Sequence, residues 1–157
     1  LDEGMQSLAE VIKKTTGKDI TNYPGAGAAG GMGGGLLAFF NAELKPGTEL
    51  LLKAIDFSEK IKGADLIITG EGKADRQTAM GKVPYGILKE AQKEHIPVIV
   101  LAGSIENLPE LNKAGFKGIF SIAPDPITLE KAMEPEFAKE NITRLVSQLY
   151  SVITSFG

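Results

Sequence analysis

The residues best suited to chemistry lie within Asp65–Pro84, which reads DLIITGEGKADRQTAMGKVP. Two carboxylates, Glu71 and Asp75, stand four residues apart. Gln77 and Thr78 add an amide and a hydroxyl, and Gly81-Lys82 leads into a segment opening on Val83-Pro84. Phosphoryl transfer uses Mg2+, which takes one or two carboxylates together with phosphate oxygens. A carboxylate can also orient or deprotonate the attacking hydroxyl. Glu71 and Asp75 could divide these roles, and both are candidate metal ligands. The plain alternative is two solvated loop acids. Proline favours the first helical turn, which places Lys82 at a helix N-terminus. A cation gains nothing from the helix dipole there. It makes sense if an anion shares the site, and otherwise Lys82 is a solvated lysine.

The elements around this segment must position it. Leu66-Ile67-Ile68 reads as a buried strand that ends at Thr69-Gly70-Glu71, with Gly70 and Gly72 opening a flexible polar loop. Val98–Leu101 and Ile119–Ile122 are two more short apolar runs. Helix-like segments, Val83–Glu94 and Leu108–Ala114, separate them. Continuously apolar strands alternating with helices predict a parallel sheet covered on both faces. In such sheets ligands bind outside the carboxyl ends of the strands. The second and third strands would end at Ala102-Gly103-Ser104 and Ala123-Pro124-Asp125. Small and polar residues there suit a cleft, although Gly and Pro also simply terminate strands. Pro126–Met133 suggests a further helix. Asn141–Ser155 predicts another, with Ile142, Leu145, Val146, Leu149 and Ile153 forming an apolar stripe.

Upstream the texture differs. Residues 2–16 read as an amphipathic helix, with Leu1, Met5, Leu8 and Ile12 at helical spacing and Gly17 as a stop. Gly25–Gly35 is GAGAAGGMGGG, and Leu36–Leu44 is apolar enough for a buried helix. Leu50–Ile55 and Asp56–Lys62 read as short helical pieces. The run contains a literal G-x-G-x-x-G, but a dinucleotide fingerprint must follow a strand, and KDITNYP is none. Gly81-Lys82-Val83 also fails the phosphate-loop pattern, because Val83 replaces Ser or Thr and position 76 is not glycine. Two readings of the glycine run stay open: a loop whose backbone approaches a ligand closely, or tight helix packing. The sequence divides near residue 62, into 1–62 and 63–157.

Composition narrows the function classes. The 157 residues are 43% apolar with a formal net charge of −3, and mean hydropathy is near zero. Lys and Arg are scattered, which disfavours a nucleic-acid or anionic-membrane partner. No apolar run approaches the ~20 residues of a membrane helix. The chain has no cysteine and one histidine, His95. Disulfides, thiolate metal sites and multi-histidine sites are therefore excluded. A Ser-His-Asp triad would need His95, which sits where a helix C-terminus favours basic residues. Leu1-Asp2-Glu3 reads as the interior of a longer polypeptide.

The order GAGAAGG-x-G, AFFNAELKPG, ADLIITGEGKADRQTAMGKVPYGI and PVIVLAG resembles the bacterial-type glycerate kinases across essentially the whole chain. The resemblance implies a cytoplasmic bacterial enzyme that moves the γ-phosphate of ATP, with Mg2+, onto glycerate. It implies a Rossmann-like domain assembled from both ends of the chain, with a second α/β domain inserted. Residues 63–157 would be the C-terminal part of the first domain and 1–62 the tail of the inserted one. The missing N-terminal portion of the same protein would complete a cleft between them, leaving this piece inactive alone. Carried onto this sequence, the site comprises Glu71, Asp75 and Lys82 as catalytic groups. Gly25, Gly27, Gly30, Gly31, Gly70, Gly72, Gln77 and Thr78 would bind substrate or phosphate. A non-catalytic small-anion or nucleotide-binding module and a kinase for another small sugar acid are the alternatives. Product regiochemistry and homo-oligomerisation stay open.

Overall fold

The structure is a computed structural model that describes residues 2–40, 42–106, 108–124 and 126–155. Leu1 of the first apolar stripe, Asn41 of the apolar segment and Asp125 of the third strand end lie outside the described residues. Packing divides the molecule into two compact units, Leu1–Pro46 and Gly47–Gly157.

The first unit is helical. Helix α1 (Asp2–Thr16) ends where Gly17 adopts φ +74 and donates its N–H to Lys13 O at 3.0 Å, a glycine stop of the expected kind. Its buried face, Ala9 and Ile12, meets Ile20 and Ala38. Helix α2 (Ala28–Phe40) takes in most of the glycine run. It is broken at Ala29, Gly30 and Gly31, whose φ values of 52, 68 and 92 are left-handed. Beyond that break the run serves packing. Gly33 and Gly34 are buried. A Cβ on Gly33 would collide with Gly25 O, and one on Gly34 would lie 2.7 Å from the Ile20 side chain.

The second unit begins with α3 (Gly47–Ala54) and α4 (Phe57–Lys60). Three strands follow, β1 (Ile67–Ala74), β2 (Val98–Ile105) and β3 (Gly118–Ser121), joined by α5 (Val83–Lys93) and α6 (Leu108–Ala114). The chain closes with α7 (Leu129–Ala132), capped by the Thr128 hydroxyl, and α8 (Pro135–Thr154). The sheet is parallel, in the order β1-β2-β3. Its core joins Val98, Val100 and Ala102 of β2 to Leu88 and Ala91 of α5, Leu111 of α6 and Phe116. Val98–Ala102 are all buried, so both faces of the central strand are covered. This is the α/β parallel sheet that the apolar runs imply.

Several boundaries differ from the sequence reading. Strand β2 continues past Ser104 to Ile105, β3 stops at Ser121 before Ala123-Pro124, and α8 starts at Pro135. Two further differences have a clear physical reason. The break in packing falls at Pro46, before the change of texture near residue 62. Gly86 of α5 explains it: a Cβ there would strike the Thr48 side chain, so α3 lies directly on α5. The second difference concerns the first strand. It does not end at Thr69-Gly70-Glu71 but continues to Ala74, pairing Glu71 with Ala102 and Lys73 with Ser104. Glycine inside a strand marks close approach of another backbone. That is the situation here, since a Cβ on Gly103 would lie 2.8 Å from Gly72 O. The Gly-Glu-Gly segment is therefore strand, and the polar loop begins only at Asp75.

Candidate active site

Strand alternation puts Ile67, Thr69 and Glu71 on one face of β1. Thr69 is buried there, and the Glu71 side chain is only 11% exposed. Its Oε1 is buried and has no hydrogen-bond partner among the described residues. An unpaired buried acceptor costs about 1–3 kcal/mol, and more when charged. Such an atom marks a place made for a donor or a cation.

After Ala74 the chain turns sharply. Asp75 Oδ1 accepts the N–H of Gln77 at 2.9 Å and of Thr78 at 3.3 Å. These bonds open a single 3-10 turn, Thr78–Met80. Gly81 then takes φ +138, a conformation that favours glycine, and delivers Lys82 to the N-cap of α5. Pro84 stands in the first turn of that helix, as the sequence indicates.

Lys82 closes the arrangement. Its Nζ lies 3.1 Å from Asp75 Oδ1 and 3.7 Å from Glu71 Oε2, and it also reaches Lys73 O at 3.4 Å. The side chain is 34% exposed. The hydrogen bond from Lys82 is the main reason the Asp75 carboxyl is held below its ordinary value; partial desolvation opposes it, and the backbone N–H groups of Gln77 and Thr78 add to it. Asp75 is thus ionised throughout the physiological range. Two carboxylates and one ammonium converge where β1 hands over to α5, so the sequence-predicted catalytic trio is one cluster.

The remaining candidates separate. Gln77 contributes its backbone N–H to Asp75. Thr78 is fully buried, and its hydroxyl accepts the Asp75 N–H at 3.0 Å. It is consequently a group that shapes the loop and not one that faces a ligand. Gly70 and Gly72 are β1 residues beside the cluster. Gly25, Gly27, Gly30 and Gly31 belong to the first unit, where the glycine turn borders a cavity of about 170 Å³ lined by Met5, Leu8, Ile20 and Ala26. The turn uses several of its own amides. Ala26, Ala28, Gly31 and Gly34 N–H groups donate to Tyr23, Gly25, Gly27 and Ala26 carbonyls. Sequence reasoning did not single out Lys73, whose carbonyl helps hold Lys82, and took Gly103 only as a strand end, whereas its missing Cβ admits β1. No signal short of knowing the strand register points to either.

Among the described residues no group of three His, Asp or Glu side chains is arranged to hold a metal ion. Glu71 fits a cation such as Mg2+, whereas Asp75 Oδ1 already takes two N–H groups and the Lys82 ammonium. The buried, unpartnered Glu71 Oε1 supports that fit.

A parallel α/β sheet that ends in an acid–lysine cluster at a helix N-terminus defines a protein suited to phosphate chemistry. The model of the glycerate kinase family matches residues 1–154, and the chain belongs to that family. It is 44% identical to a glycerate kinase of Halalkalibacterium halodurans over 85% of this chain and 36% of that one. It is 43% identical to the glycerate 2-kinase of Escherichia coli, over 92% of this chain and 38% of that one. A solved structure from Salmonella typhimurium LT2, provisionally assigned as glycerate kinase 2, superposes with a TM-score of 0.70 at 35% identity. The match covers 96% of this chain and 38% of that one. The chain thus spans well under half the length of the relatives it matches.

Proposed function

We infer that the protein containing this chain is a kinase that transfers the γ-phosphate of ATP to a hydroxyl of glycerate. The observation that carries the reading is the convergence of Glu71, Asp75 and Lys82 where β1 meets α5. Asp75 is the carboxylate that orients the attacking hydroxyl and accepts its proton. Its depressed pKa suits an ionised acceptor. Glu71 would hold Mg2+, directly or through water, and the ion would supply neutralisation of phosphate charge. Lys82 supplies a fixed positive charge for the phosphate, supported by the N-terminus of α5. Backbone amides of Gly25, Gly27 and Gly30 would bind a carboxylate or phosphate, while that of Gly31 is given to Gly27 O and shapes the turn.

Residues 63–157 are read as the C-terminal part of a Rossmann-like domain and residues 1–62 as the tail of an inserted one. The name of the Escherichia coli relative, a 2-kinase, favours the 2-hydroxyl as acceptor. No helix among the described residues is long and apolar enough to cross a membrane.

The test is the full-length protein incubated with ATP, Mg2+ and D-glycerate, with the product identified by 31P NMR. Formation of 2-phosphoglycerate is expected. A protein that binds these ligands without forming phosphoglycerate would be a binding module, and the kinase reading would fall.

A further inference from the structure

Thr78 holds the most enclosed hydroxyl beside the cluster, and its geometry assigns different work to the two Asp75 oxygens. Three donors converge on Oδ1: Gln77 N–H, Thr78 N–H and Lys82 Nζ. In return the Thr78 hydroxyl accepts the Asp75 N–H at 3.0 Å. The backbone adds a third bond between the two residues, Thr78 N–H to Asp75 O at 3.0 Å. The pattern is a reciprocal brace of the capping-box kind, with a side chain on each residue satisfying the other's backbone. Among the described residues no donor reaches Oδ2. Thr78 itself is inaccessible to solvent, and the 3-10 turn that carries it packs against α5 and α6.

We propose that Thr78 is a positioning residue for phosphoryl transfer: it pins Asp75 through Oδ1 and the backbone so that Oδ2 alone is presented to the acceptor hydroxyl. The proposal rests on the reading of Asp75 as the acceptor's carboxylate. A single point of attachment would let the carboxylate swing about its Cα–Cβ and Cβ–Cγ bonds. The brace removes that freedom before substrate arrives, and misplacement by about 1 Å can cost a hundredfold in rate.

The experiment is done on the full-length protein with Thr78→Val, which keeps the shape and removes the hydroxyl, and Thr78→Ser, which keeps the hydroxyl. Thr78→Val is expected to lower kcat by about tenfold to a hundredfold while KM for glycerate and ATP changes less than about twofold. Thr78→Ser is expected to restore most of the turnover. If Val is not accommodated, Thr78→Ala deletes the same hydroxyl with less bulk and is read in the same way. A double-mutant cycle separates positioning from general loop integrity. In an Asp75→Asn background, Thr78→Val should change the residual kcat by less than about twofold. Wild-type kcat in both hydroxyl-deleting variants overturns the proposal, as does a full additional loss in the Asp75→Asn background. If Asp75→Asn alone turns over at the wild-type rate, the reading of Asp75 falls instead, so the two failures are distinguishable.

Discussion

The Lys82 ammonium donates to Asp75 Oδ1 across 3.1 Å. This bond is the leading cause of the low Asp75 pKa. The sign of its pH dependence follows. A carboxyl whose folded pKa lies below its unfolded one contributes stability that is present above the unfolded pKa. That contribution is lost as the pH falls through the folded pKa. Asp75 should therefore protonate below its ordinary 3.8. Any acid limb of kcat/KM near pH 5–6 would belong to another group. Replacing the cation by Lys82→Met should move the Asp75 pKa up toward 3.8, as read from its carboxyl carbon by 13C NMR. An unmoved pKa would show that the pair does not form in solution. The same substitution should weaken ATP binding, turnover or both, and an unchanged kcat/KM for ATP would take Lys82 out of the site.

Asp75→Asn tests the acid itself. The asparagine oxygen can still accept from the Gln77 and Thr78 N–H groups, so the turn should survive and Tm should hardly move. What is lost is the negative charge and the proton acceptor. Loss of a general base costs about 10²–10⁴ in rate, so kcat should fall by that order. Near-wild-type turnover would sink the assignment.

The glycines of β1 and β2 give a stability prediction that is independent of chemistry. Gly103 faces Gly72 O at a distance no Cβ tolerates, 2.8 Å, and the obstacle is backbone. Gly103→Ala should destabilise the full-length protein by about 1–3 kcal/mol through overpacking. Gly72→Ala meets no atom within 4 Å of its new Cβ. A surface-like change of under about 0.5 kcal/mol is expected there. Urea unfolding of the two variants side by side is the measurement. Equal midpoints would contradict the strand crossing.

These glycines also show where the sequence could be read and where it could not. The β2 core, Val98–Leu101, is legible because a continuous apolar run has few other destinations. The start of α5 is legible from Pro84, and α6 from its own boundaries. The continuation of β1 through Gly70-Glu71-Gly72 is not. Glycine signals both strand ends and close strand contact, and only the register with β2 decides between them. In α2 the apolar end from Leu36 is legible as helix and the glycine part is not, because Gly33 and Gly34 are demanded by neighbours some distance away in sequence. The start of α8 was available and missed: Pro135 stands in its first turn, six residues before the expected Asn141. The site was legible as residue types. The brace between Asp75 and Thr78 was not, since burial of a threonine cannot be read from its neighbours in sequence.

The last prediction concerns the isolated 157-residue chain. In its sheet β1 pairs on one side only, with β2. Ile68 on that strand is 43% exposed, and Ile153 on α8 is 47% exposed. Unpaired edges and uncovered apolar side chains favour association. The chain also spans only 32–40% of curated relatives in which glycerate kinase is named. Expressed alone, it should therefore form no phosphoglycerate under conditions where the full-length protein does, and it should elute above monomer mass in light-scattering chromatography. Turnover by the piece alone would mean that the cluster of Glu71, Asp75 and Lys82, with the glycine turn, already holds everything the reaction needs. A monodisperse monomer at high concentration would show instead that its exposed edge is protected in solution.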